Sequence, residues 1–213
     1  MVIFLRGQRA LLILLALLVL GSFAALLWPR VLRPTVRPSP GGFGQKLAYA
    51  AEDIVDPSIV YDAAYVCIPY PNGDVSPTRG VCADVVVRAY RRLGIDLQVL
   101  VHQDMAKHFS AYPQLWHLHK PDPNIDHRRV YNLATYFHRH GQTLPCGTRA
   151  ADYLPGDIVV WRVQNLGHIG IISSRCNEDG TRPLIVHNIG SGQVLQDMLF
   201  DYPIIGHYRY TPR

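Results

Sequence analysis

The hydrophobic period of this chain changes once, near Gly141, and that change restricts the fold more than any other feature. Before it, apolar residues recur at helical spacing. Val85, Val86, Ala89, Tyr90 and Leu93 make one stripe, which ends at Gly94. Leu97, Leu100, Val101, Met105 and Phe109 make a second, in a helix predicted over 97–112, and Val130, Leu133, Ala134 and Phe137 a third, stopped at Gly141. A short helix over 46–55 is also expected, closed by Asp56-Pro57. After Gly141, segments 157–162, 168–174 and 184–188 are rich in isoleucine and valine and read as strands, with a turn at 190–192 and a last strand over 205–210. Helices first and strands after predict an α+β fold, with N-terminal helices packed on an antiparallel sheet. Between the second and third helices, residues 113–129 are rich in Pro, His and Asp and predict a long surface loop, a natural lid for a cleft.

The N-terminus is of another kind. Ala10 to Trp28 carries no charge, and a run of that length crosses a bilayer as a helix. Arg6 and Arg9 precede it, as in a secretory signal or a signal anchor. An uncleaved anchor is the favoured reading and a cleaved signal peptide the alternative. Residues 29–45 hold prolines, glycines and arginines and read as a tether. The expected organisation is therefore an anchor at 1–28, a linker at 29–45 and a folded domain at 46–213. Charge follows the same division. Residues 1–46 contain Arg6, Arg9, Arg30, Arg33, Arg37 and Lys46 and no acid, whereas the remainder carries the other 15 basic residues and all 16 acidic ones. The folded part thus has no basic excess, which argues against nucleic acid as a partner. Either reading of the N-terminus places the folded domain outside the membrane, tied to it by the anchor or else secreted.

Candidate chemistry begins at Cys82, placed where Arg79-Gly80-Val81 turns into the first helix. Unpaired N–H groups of a helix start favour thiolate over thiol. A thiol nucleophile needs a base and a group that orients the base. His168 opens one predicted strand and His187 closes the next, so antiparallel pairing would set both on one face, with Cys82 packed against it. Asn188 is the alternative orienting group. Asp74 and Arg79 before the cysteine, and Asp126, His127 and Arg128 in the long loop, are candidates to bind substrate. Asp157 and Asp84 suit simpler structural duties, a loop cap and a complement to the helix dipole. His117-x-His119 and His138-x-His140 suggest metal only on paper: side chains two apart on a helix diverge, and no Cys-x-x-Cys or His-Glu-x-x-His occurs. No metal and no cofactor is expected. Cys67, Cys146 and Cys176 leave the choice of any disulfide open.

The motifs Tyr-Pro-Asn-Gly-Asp at 70–74, Arg-Gly-Val-Cys-Ala-Asp at 79–84, Asn-Ile-Asp-His-Arg-Arg at 124–129, Pro-Gly-Asp at 155–157, Gly-His-Ile-Gly-Ile at 167–171 and Val-His-Asn-Ile-Gly at 186–190 resemble the family known as domain of unknown function 1287. Their order also resembles the NlpC/p60 superfamily of papain-like cysteine peptidases. The resemblance implies a papain-like fold, Cys82 as nucleophile, His168 as base and His187 as the orienting group. It implies hydrolysis of amide bonds in cell-wall peptides, in a bacterial cell envelope where the domain faces the periplasm and is tied to the inner membrane, or else is secreted into the periplasm. Acyl or amide transfer at the same site, or wall binding without catalysis, are the alternatives. The superfamily's Asp-Cys-Ser-Gly is Val-Cys-Ala-Asp here, a departure that bears on specificity.

Overall fold

The computed structural model describes residues 41–212. The apolar run and the tether up to residue 40 lie outside them; among the described residues, no helix is long and apolar enough to cross a membrane. Numbered from the first described element, the helices are α1 (Phe43–Glu52), α2 (Cys82–Arg92), α3 (Leu97–His108) and α4 (Val130–His140). The strands are β1 (Val60–Tyr61), β2 (Arg79–Gly80), β3 (Gln142–Thr143), β4 (Ile158–Val163), β5 (Leu166–Cys176), β6 (Pro183–His187), β7 (Val194–Gln196) and β8 (Ile204–Arg209). Strands β3 to β8 form an antiparallel sheet in the order β3-β8-β4-β5-β6-β7, and β1 pairs with β2 in parallel. The fold is α+β.

Helix α2 is central. Val81 is extended, and the Asp84 carboxylate reaches back to accept its N–H at 2.7 Å, the acidic half of a capping box. The Val85, Val86, Ala89 and Tyr90 stripe packs into one core with Ile158, Val160, Ile169, Ile171 and Val186 of the sheet. The opposite sheet face bears Val159, Trp161, Ile172 and Ile185, covered by Met198 and Leu199 of the segment after β7. Burial on both faces explains why these strands read as apolar runs without alternation.

Two elements depart from expectation. Helix α1 starts at Phe43, inside the expected tether, because the Phe43 ring packs 6.0 Å from that of Tyr90. The long loop is a surface segment only in its first part. Residues 126–128 form a buried 3-10 turn, because Arg128 is drawn inward by Asp84 and Gln98 holds the carbonyls of Pro69 and Pro123 at 2.9 and 3.0 Å. The Pro155-Gly156-Asp157 turn fits against the start of α1: Gly156 has φ +84°, and a Cβ there would lie 2.1 Å from the Gly44 carbonyl oxygen.

Candidate active site

Cys82 is the first residue of α2 and is buried. The backbone N–H groups of Cys82, Ala83 and Ile169 all act on the sulfur to favour the anion, as a helix start should. Burial outweighs them, with Asp84 adding to it, and pushes the thiol up to about 11. The resting sulfur is a thiol, against the expectation drawn from the helix start alone. The Tyr61 hydroxyl also faces it: burial, then the neighbouring Cys82 and Asp84, push that phenol up to about 12.

His168 and His187 are brought together. His168 Nε2 and His187 Nδ1 are 3.1 Å apart, the rings edge to face with centroids 5.1 Å apart. His187 Nε2 lies 3.2 Å from Oε1 of Gln196 on β7. An amide oxygen only accepts, so this contact sets the proton on His187 Nε2. His187 Nδ1 then accepts, and His168 Nε2–H donates to it. The remaining nitrogen, His168 Nδ1, carries a lone pair and has no hydrogen-bond partner among the described residues. Burial pushes His168 down to about 3, with His187 adding to it, and His187 down to about 4. Both imidazoles rest neutral. Gly170 makes room for the pair, since a Cβ there would lie 3.2 Å from that of His187 and 2.7 Å from Ile185 Cγ2.

The expected stacking of Cys82 on the histidine face is modified. Ile169 and Ile171 face the helices, so His168 takes the other parity, opposite Trp161 on β4, with their rings 5.8 Å apart. Strand β6 ends at His187, so the start of β5 has no strand beside it on that edge, and the Ile169 N–H turns to Cys82 instead. The imidazole of His168 leaves β5 one residue before the N–H that meets the thiol, on the opposite parity. Among the described residues, no hydrogen bond joins thiol and imidazole in this resting state.

The other expected site residues divide. Among the described residues Asn188 makes no hydrogen bond to His168: its amide donates to the Gly80 carbonyl at 3.5 Å and its oxygen accepts from Gly190 N–H at 3.0 Å. Asp74 pairs with Arg88 and Arg91, along a separate cavity of about 540 Å³. Arg79 pairs with Asp62 at 2.7 Å. Arg128 is spent on Asp84 and on the carbonyls of Ala64 and Asp62. Asp126 is buried and bonded to Arg129 at 3.2 Å. His127 is buried with Nδ1 unpartnered, and burial pushes it down to about 4. Asp157 does hold its turn, accepting Leu154 N–H at 2.9 Å, and also binds His207 and Arg209. All four cysteines are free thiols. Tyr61 and Gln196 were not singled out in the sequence. Tyr61 lies in a two-residue bridge with no local signature, but Gln196 sits in a hairpin with His187, whose register pairs His187 with Val194 and so puts Gln196 on the same face.

Residues 48–210 match the family described as "Domain of unknown function (DUF1287)". The chain is 49% identical over 204 residues to the uncharacterized protein YijF of Escherichia coli (strain K12), covering 95% of this chain and 98% of that protein. Among solved structures it is similar to NlpC1 from Trichomonas vaginalis, at 19% identity and a TM-score of 0.45, over 80% of this chain and 45% of that one.

Proposed function

The chain belongs to the DUF1287 family, and we propose that it is a cysteine hydrolase of amide bonds in cell-envelope peptides, such as the peptide stems of peptidoglycan. The observation that carries this reading is the proton order Gln196–His187–His168, which leaves a lone pair on Nδ1 of His168, the residue before the one whose N–H meets the Cys82 sulfur. A histidine serving only structure has no need of a polarised neighbour and an empty nitrogen.

In this reading the Cys82 side chain turns from the Ile169 N–H toward His168 Nδ1 by a change of χ1. The thiol proton passes to Nδ1 and the thiolate attacks the substrate carbonyl carbon. The tetrahedral oxyanion faces the N–H groups of the α2 start and the Tyr61 hydroxyl, which are fixed before the reaction begins. The imidazolium of His168 is stabilised by donating Nε2–H to His187, and it gives the Nδ1 proton to the departing amine. A thioester remains on Cys82 and a water, deprotonated by His168, releases it as a carboxylic acid. The NlpC/p60-like ancestry, the anchor at residues 10–28 and a periplasmic location belong to the same proposal, and together they set peptidoglycan within reach.

The test is mass spectrometry of peptidoglycan fragments after incubation with the chain and with its Cys82→Ser variant. A product made only by the intact thiol supports the proposal and identifies the bond. Products from both proteins would remove the cysteine mechanism. His168→Ala is expected to abolish turnover and His187→Ala to reduce it less, since an orienting group contributes less than the base.

A further inference from the structure

A cavity of about 340 Å³ is lined by Val81, the residue directly before the candidate nucleophile. Its walls are Ala63, Tyr65, Val81, Trp116, Ile125 and Arg129, with Arg128 at its back. Val81 immediately precedes Cys82, so the cavity borders the N-terminal side of the helix start. Two guanidinium groups line it and no carboxylate does. Their states differ. Arg128 is buried and divided between Asp84 and two backbone carbonyls. Arg129 is committed far less. One nitrogen, Nη1, donates to Asp126 at 3.2 Å, and its carbon lies 4.2 Å over the Trp116 ring. Nε and Nη2 have no acceptor among the described residues. The cation–π contact with the indole holds the guanidinium in place and leaves its Nε and Nη2 edge for a planar, two-oxygen partner.

The acids nearby do not take that place. Asp122 accepts from Tyr65 Oη at 3.0 Å and from Asn124 N–H at 2.9 Å. Asp126 accepts from the Asp122 N–H and from Arg129. Neither lines the cavity. Burial lowers the Arg129 pKa more than these acids raise it, so the cation is incompletely compensated where it stands.

We propose that this cavity is a carboxylate subsite of the Cys82 cleft, in which the free edge of Arg129, stacked on Trp116, forks a carboxylate that the peptide carries beside the scissile amide. Its place in the reaction rests on the hydrolase reading; its binding of a carboxylate does not. Arg128, the arginine singled out in the sequence, is the structural member of the pair, and Arg129 is the recognition residue.

The experiment separates the two readings. The full chain carrying Cys82→Ala, unable to turn over, is titrated calorimetrically with L-alanyl-γ-D-glutamyl-L-lysine, and with the same tripeptide bearing a carboxamide in place of the glutamyl α-carboxylate. The carboxylate form is expected to bind roughly 10- to 100-fold more tightly, the range for a charge-assisted bidentate pair. Adding Arg129→Gln should erase that ratio, and Arg129→Lys should restore part of it, which a merely misfolded cavity would not do. Equal binding of the two peptides, binding of neither, or a ratio that survives Arg129→Gln would overturn the subsite. If the ratio holds but the intact chain cleaves neither peptide nor any peptidoglycan fragment, the subsite stands and the hydrolase reading falls.

Discussion

Asp84→Asn is expected to be the most costly single change near the site, although residue 84 would touch no substrate. The Arg128 and Asp84 side chains are 2% and 3% exposed and joined by two bonds, at 2.9 and 3.0 Å. The same carboxylate caps α2 through the Val81 N–H. An asparagine has one acceptor oxygen for what the carboxylate does with two, and it leaves the guanidinium charge uncompensated. Arg128 keeps only the carbonyls of Ala64 and Asp62, at 3.2 and 3.3 Å. Breaking a buried pair from one side costs about 3–5 kcal/mol, against a total stability of roughly 5–15 kcal/mol. Replacing both partners, as Asp84→Leu with Arg128→Met, removes the stranded charge and should recover most of the loss. That double variant should still hydrolyse poorly, because Arg128 also ties down the backbone just after Tyr61, whose hydroxyl faces the thiol. Urea unfolding followed by far-ultraviolet circular dichroism gives the stabilities. A cost for Asp84→Asn below about 1 kcal/mol, or a double variant less stable than the single one, would refute the reasoning.

Two further outcomes follow from the histidines. Gln196→Leu should slow turnover by something on the order of 10-fold while leaving substrate affinity nearly unchanged, because it frees the His187 proton order without touching the cleft; steady-state kinetics showing a KM effect alone would contradict this. Stability should fall as pH drops from about 6.5 toward 4. His127, His168 and His187 have folded-state values pushed down to about 4, 3 and 4, so they stay neutral in the folded chain while the unfolded chain takes up protons. Their contribution is complete above about pH 6.5, the unfolded value, and is lost as pH falls toward the folded ones. His127→Asn should flatten the slope by up to about 1.4 kcal/mol per pH unit, read from urea midpoints at pH 7 and pH 5, and an unchanged slope would count against a neutral buried His127.

Local pattern carried much of the architecture. The stripe from Val85 to Leu93 and the valine- and isoleucine-rich runs record which faces are buried, and burial is what a single sequence encodes best. Strand β7 was illegible because three residues cannot show a period. The partner of Arg128 was illegible for a different reason. Asp84 lies 44 residues away, and a nearer acid, Asp126, was equally plausible by charge. Only packing shows that Asp126 goes to Arg129 and that Asp84 must serve both the helix cap and Arg128. The thiol's protonation state was misjudged because helix polarity is readable from sequence, whereas the larger opposing effect, burial, depends on what α2 packs against.

The ten histidines look alike in the sequence, but their nitrogens do not. His207 is buried, with Nδ1 3.1 Å from the Pro145 carbonyl oxygen and Nε2 2.9 Å from Asp157. Both nitrogens are engaged by structural partners, and the Tyr153 ring stacks on it at 4.3 Å. That histidine holds the Pro-Gly-Asp turn to β8. His127 has an unpartnered Nδ1 amid the charges of Asp84, Arg128, Arg91 and Asp96, and no side-chain hydrogen bond among the described residues specifies its proton order. In His168, one nitrogen is held by a neighbour whose own tautomer is set by Gln196, and the other keeps a free lone pair. A base must have its free lone pair specified in advance, since reorienting the proton order during the reaction would add to the barrier. Among these three buried imidazoles, His168 alone meets that condition, and the amide that specifies it lies on the one strand of the sheet's far edge that sequence periodicity could not reveal.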